Sequence, residues 1–181
     1  VILVGLTSKN RLDDYTPWKA SALREGAPDF GGQANVYHDH LFGCLLDKLQ
    51  LLYRLDEARL AYGGYSLGGL AATYSLFGFD KVSCVFSICG SFWYPDFVAY
   101  CKEETVKNLD CILYLQNGQT EGAYHTNRLA QAPIYAEKVH TSLEKSYPTG
   151  QFIFDSYGHH EQVAERFLAF SSWLAQEWKI E

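Results

Sequence analysis

The chain has no methionine among its 181 residues and opens on Val1-Ile2-Leu3-Val4-Gly5. A chain that opens directly on an apolar segment and carries no methionine reads as the C-terminal portion of a longer domain. No apolar run approaches the roughly 18 residues that a spanning helix needs, which excludes a helical membrane partner for this sequence. No Lys/Arg run occurs, and 15 basic residues face 21 acidic ones for a net charge of −6. A nucleic-acid partner, which requires a basic surface, is excluded. The cysteines Cys44, Cys84, Cys89, Cys101 and Cys111 form no Cys-x-x-Cys pair, so no structural metal site is expected. An odd number, three of them in apolar strand-like segments, reads as free thiols in a reducing compartment, by default the cytoplasm.

What is present is ordinary globular material. With 48% apolar and 20% charged residues, the chain can bury a substantial core. No repeat, low-complexity tract or linker divides it, so residues 1–181 read as one domain. Residues 1–6 are continuously apolar, the pattern of a strand buried on both faces. Residues 8–32 are polar and rich in Gly, Pro and Asp, which predicts an irregular surface loop. Over residues 36–55, Leu41, Cys44, Leu45, Leu49 and Leu52 recur at the spacing of an amphipathic helix. Strands predicted over 58–65, 82–89, 111–116 and 151–156 are accompanied by helices over 67–77, 130–146 and 161–178. Such alternation specifies an α/β fold, a mainly parallel sheet with helices on both faces.

One short motif decides where chemistry would sit. Gly64-Tyr65-Ser66-Leu67-Gly68 falls between a predicted strand and helix, the setting of a G-x-S-x-G nucleophile elbow. A chain that turns from strand to helix this abruptly strains the serine, and glycines two before and two after relieve the crowding. The serine hydroxyl is a poor nucleophile until a base takes its proton. His159 and His160 lie between the last strand and the last helix, where this fold carries its base. The residues alone do not choose between them. The acid should follow the preceding strand, where Glu121 lies in Gln116-Asn117-Gly118-Gln119-Thr120-Glu121. Asp96, after an earlier strand, is the alternative acid; Asp155 lies within its own strand and would have to reach backward.

The backbone N–H of Leu67, the residue after the nucleophile, is the expected oxyanion donor. A second donor should come from an earlier loop, here Gly5 and its neighbours or a segment outside this sequence. Tyr65, Phe92 and Trp93, with Trp18 and Tyr94 nearby, are the candidate walls of a substrate pocket. His38-Asp39-His40 is not read as a metal site, because helical residues two apart point to different sides.

Four segments carry a family resemblance. Arg11-Leu12-Asp13-Asp14-Tyr15-Thr16-Pro17, Gly63-Gly64-Tyr65-Ser66-Leu67-Gly68-Gly69-Leu70, Ser87-Ile88-Cys89-Gly90-Ser91-Phe92-Trp93 and His160-Glu161-Gln162-Val163 resemble the motifs of the putative-esterase group of α/β-hydrolases. That group includes the siderophore trilactone esterases and is related to esterase D, feruloyl esterases and mycolyltransferases. The resemblance implies an α/β-hydrolase fold with Ser66 as nucleophile, and its alignment on Val163 favours His160 over His159. It also implies that further N-terminal strands precede the segment that begins here. The expected activity is serine carboxylic-ester hydrolysis through an acyl-enzyme, with no cofactor and no metal, on a small-molecule ester partner. Siderophore lactones, acylated sugars and small acyl esters all fit. An acyltransferase, or a hydrolase-like binding domain without turnover, is the alternative.

Overall fold

The computed structural model describes residues 1–179. Among them four parallel strands form the central sheet: β3 (Ala61–Tyr65), β4 (Cys84–Ile88), β5 (Ile112–Gly118) and β6 (Gln151–Asp155), side by side in chain order. Parallel neighbours need a crossover. Helices α4 (Leu67–Ser75), α5 (Phe97–Glu103) and α6 (Ala132–Glu144) supply the three, and α7 (Val163–Glu177) closes the chain. The register sets Tyr65 opposite Ile88, Ile88 opposite Gln116, and Gly118 opposite Asp155. All four strands therefore end at one rim, and the loops that follow them meet there.

Side-chain alternation along the strands divides the core in two. From β4 and β5, Val85, Leu113 and Leu115 pack with Leu70, Phe97, Val139 and Leu143 of the crossover helices. Cys84, Ile88 and Tyr114 point the other way, onto Phe170 of α7. Each fully buried aliphatic side chain contributes about 1.5–3 kcal/mol.

The first half departs from the pattern read in sequence. Residues 1–6 form no strand, and Val1, Leu3 and Val4 are exposed. An apolar run becomes a strand only where a neighbour offers its ladder. β3 pairs with β4 alone and leaves its outer ladder free, yet residues 1–6 do not lie along it, so among the described residues the sheet has four strands and not the expected five. The predicted loop over 8–32 holds a short helix, α1 (Arg11–Asp14), and a small antiparallel pair, β1 (Lys19–Ala20) with β2 (Phe30–Gly31). Thr16 anchors it: its hydroxyl accepts from the Gly32 N–H at 3.0 Å, and its carbonyl accepts from the Ala34 N–H.

The long predicted helix is three segments: α2 (Ala34–Asp39), a π-helical stretch (His40–Leu45) and α3 (Leu46–Leu52). Ala34, His38 and Phe42 carry the buried face, while Cys44 and Leu52 stay exposed. His38 and His40 do part company, the first buried and the second exposed. No helix of the described residues is long and apolar enough to cross a membrane.

Two enclosed histidines make stability depend on pH. Burial lowers His38 from its ordinary value to about 4 and His140 to about 3. Below about pH 6.5 the unfolded chain takes up protons that these folded sites refuse. Their contribution is complete above about pH 6.5 and is lost as pH falls, towards 4 for His38 and towards 3 for His140. Thermal unfolding followed from pH 7.5 downward is expected to show a falling midpoint from about pH 6.5; a flat midpoint to pH 5 would contradict it.

Candidate active site

The rim brings together three of the residues singled out above. Ser66 stands between β3 and α4 with φ 60° and ψ −120°, a strained conformation for a residue with a side chain, costing about 1–3 kcal/mol. Its N–H donates to the Ile88 carbonyl at 3.0 Å, and its carbonyl accepts from the Leu70 and Ser91 N–H groups. The turn is therefore held from both sides. A Cβ on Gly64 would lie 2.9 Å from the Gly68 backbone, and one on Gly69 would lie 2.4 Å from the Ser87 hydroxyl oxygen. Gly68 differs from expectation: a Cβ there would meet nothing within 4 Å. The crowding falls on Gly64 and Gly69.

His159 Nε2 lies 3.1 Å from Ser66 Oγ, and His159 Nδ1 lies 2.7 Å from Glu121 Oε2. A carboxylate only accepts, so the Nδ1–H donates to Glu121, and Nε2 is left to accept from the serine hydroxyl. Glu121 is buried. Its other oxygen accepts from the Gly118 N–H at 2.7 Å and from Asn117 Nδ2 at 3.2 Å. His140 Nε2, 3.1 Å from Asn117 Oδ1, donates to it and turns the Asn117 amide towards Glu121. His140 Nδ1 has no hydrogen-bond partner among the described residues, and burial keeps this ring neutral.

His160, favoured by the resemblance, is not the ring that meets Ser66. Its Nδ1 lies 2.9 Å from the Tyr65 hydroxyl, which itself donates to the His159 carbonyl at 2.7 Å. Burial pushes the Tyr65 hydroxyl up to about 12, so it keeps the proton it donates. The two imidazoles stand at 80° to one another, and His159 is the one whose Nε2 lies at Ser66 Oγ. A tight turn, with the Glu161 N–H donating to the Gly158 carbonyl, separates them from α7. That turn upsets a count made backward from Val163.

Other expectations are redirected. Asp96 is exposed at the start of α5, with φ 63°. Phe92 is fully buried and stacks on Phe97 at 5.8 Å, so it belongs to the core and not to a pocket wall. Tyr65 packs its ring 4.9 Å from that of His159, supporting the histidine. Trp93 lines a cavity of about 430 Å³ with Asp96, Lys102, Arg128 and Tyr135. Trp18 is tied down, its Nε1 donating to the Pro95 carbonyl while its own carbonyl accepts from the Tyr94 hydroxyl. Gly5 has open space around its Cα and lies in the exposed segment. Leu67 is the first residue of α4, where backbone N–H groups have no helical partner.

Ser91 was not singled out for chemistry, although it lies in one of the quoted motifs. It is buried, with Oγ 3.3 Å from Ser66 Oγ. Cys89, Glu121 and His159 place three possible ligand atoms within 4.8 Å of one another. Each is already engaged: His159 Nδ1 with Glu121, and Cys89 Sγ with Arg166 Nη1 at 2.7 Å. A cation would have to break both bonds.

No protein-family model matches the chain. It is 25% identical over 182 residues to the uncharacterized protein YbbA of Bacillus subtilis (strain 168), covering 96% of this chain and 73% of that one. An IroE-like serine hydrolase from Shewanella oneidensis superimposes with a TM-score of 0.72 at 18% identity, over 95% of this chain and 58% of the other. The siderophore hydrolase EstB from Aspergillus nidulans gives 0.68 at 18% identity, over 94% and 66%. The chain thus spans somewhat over half to two thirds of the length of these solved structures. The shared architecture is the α/β-hydrolase fold.

Proposed function

We propose that this chain is a serine carboxylic-ester hydrolase, with Ser66 as nucleophile, His159 as general base and Glu121 as the acid that orients it. The observation that carries the reading is the continuous line Glu121 Oε2, His159 Nδ1, His159 Nε2, Ser66 Oγ, closed at 2.7 and 3.1 Å. A serine proton can leave along it only if the histidine tautomer is fixed, and Glu121 fixes it. The strained serine at the start of α4 presents Oγ to a carbonyl carbon. The Leu67 N–H then faces the developing oxyanion, assisted by the positive end of the helix.

His159 takes the hydroxyl proton as the tetrahedral intermediate forms and returns it to the leaving alcohol. Water then resolves the acyl-enzyme by the same route. The substrate reading is a small-molecule ester or lactone. The structural likeness to proteins named siderophore hydrolase and serine hydrolase makes trilactone siderophores the first class to try. Four buried cysteines, all free, favour a reducing compartment, and the cytoplasm is part of the same reading.

The test is hydrolysis of p-nitrophenyl esters of increasing acyl length, then of a trilactone siderophore, beside labelling with a fluorophosphonate. Turnover together with a single adduct on Ser66 is expected. Labelling elsewhere, or neither labelling nor turnover, would overturn the assignment.

A further inference from the structure

We propose that Arg166 is a positioning residue which, paired with Asp155, clamps the loop carrying His159 to the rim of the sheet. This rests on the reading of His159 as the base and explains how that ring is kept in place. Arg166 lies in the first turn of α7, yet its side chain is only 2% exposed. Its Nε and Nη2 donate to the two Asp155 oxygens at 2.7 and 2.5 Å. Its Nη1 donates to the Gly158 carbonyl at 3.1 Å and to Cys89 Sγ at 2.7 Å. The Gly158 carbonyl is joined through its peptide bond to His159, and Cys89 Sγ lies beside Glu121 and His159. One planar guanidinium therefore holds the end of β6, the approach to the base and the residue after β4.

Asp155 extends the clamp. Its Oδ1 also accepts from the Tyr157 N–H at 3.1 Å, and its Oδ2 from Gln116 Nε2 at 2.9 Å. Burial alone would raise this carboxyl, but the bonds from Arg166, the Tyr157 N–H and Gln116 together outweigh it and hold it below the usual carboxylate range. The loop is pressed close: a Cβ on Gly118 would lie 1.9 Å from the Tyr157 carbonyl oxygen and 2.8 Å from Arg166 Nη2.

Stability is a weak reason for such an arrangement, since a buried ion pair is often matched by apolar residues of similar volume. Geometry is a stronger one. The fork of a guanidinium reaches four acceptors in one plane, and a lysine ammonium cannot. The two acceptors beyond Asp155 both touch the proposed site.

The experiment compares wild type with Arg166→Lys in the full chain. Readouts are steady-state hydrolysis of a p-nitrophenyl ester, fluorophosphonate titration of competent sites, and the far-downfield proton signal of the His159 Nδ1–H bonded to Glu121. A displacement of about 1 Å at the reacting pair costs about 10²-fold, so kcat per titrated site should fall by that order. KM should hold within about twofold, because contacts to substrate are untouched. The downfield signal should vanish or broaden in a variant that remains folded. Retention of the wild-type signal, or of kcat per titrated site within a few-fold, overturns the clamp.

Where Arg166→Lys does not fold, Asp155→Asn replaces it with the same readouts. Failure of both to fold would make the pair structural and overturn the proposal. Should wild type neither turn over nor label, the hydrolase reading fails separately, and the proton signal alone still decides the clamp.

Discussion

Ser66→Ala is expected to abolish ester hydrolysis, lowering kcat by about 10⁶, while the chain stays folded. The size of the effect follows from what the hydroxyl touches. Ser66 Oγ contacts His159 Nε2 and the Ser91 hydroxyl, so its removal deletes the attacking atom and leaves the core intact. The strained backbone at φ 60° is retained, because alanine also carries a Cβ, and the melting temperature should move by only a few degrees. Ser91 is the one neighbouring hydroxyl that invites suspicion of a bypass. It is buried and approaches Ser66 at 3.3 Å, without a hydrogen bond to either imidazole among the described residues. Hydrolysis of p-nitrophenyl acetate should therefore fall to background in Ser66→Ala. Residual turnover above about 1% of wild type would mean that Ser66 is not the nucleophile, since such a loss falls far short of removing one.

Local pattern was the legible part of this molecule. The elbow is visible because strand, serine and helix follow one another within a few residues, and the strands from β3 to β6 because buried parallel strands are short apolar runs. Glu121 was legible by position alone, as a carboxylate in the turn after β5. Residues 1–6 misled for the opposite reason: the apolar run is genuine, but a strand needs a partner that no local pattern supplies. The π-helical stretch at His40–Leu45 interrupts the helix read over residues 36–55, and no periodicity announces such a break. Phe92 looked like a pocket aromatic because it follows a strand, whereas its ring faces Phe97 in the core. The supports were invisible. His140 reaches Asn117 across 23 residues, and Arg166 reaches Cys89 across 77. Contacts of that range exist only once the chain has folded.

The adjacent histidines give the sharpest contrast. His159→Ala should be nearly as damaging as loss of the serine, with kcat down by about 10⁶, because without a base the hydroxyl keeps its proton. His160→Ala should cost less than about tenfold, the range expected for removing one supporting hydrogen bond. The asymmetry comes from Tyr65. Its hydroxyl donates to the His159 carbonyl and lies 2.9 Å from His160 Nδ1, so the proton on that nitrogen points to the tyrosine oxygen. Removing His160 takes one partner from Tyr65 but leaves the tyrosine bond that holds His159. Removing His159 breaks the line between Glu121 and Ser66 at its centre, and His160 is held away from that gap by the tyrosine. Fluorophosphonate labelling should follow the same order, slow in His159→Ala and close to wild type in His160→Ala. If the two variants exchanged ranks in both hydrolysis and labelling, the turn at Gly158 would have to open in solution and present the second ring to the serine, and the base would be His160 after all.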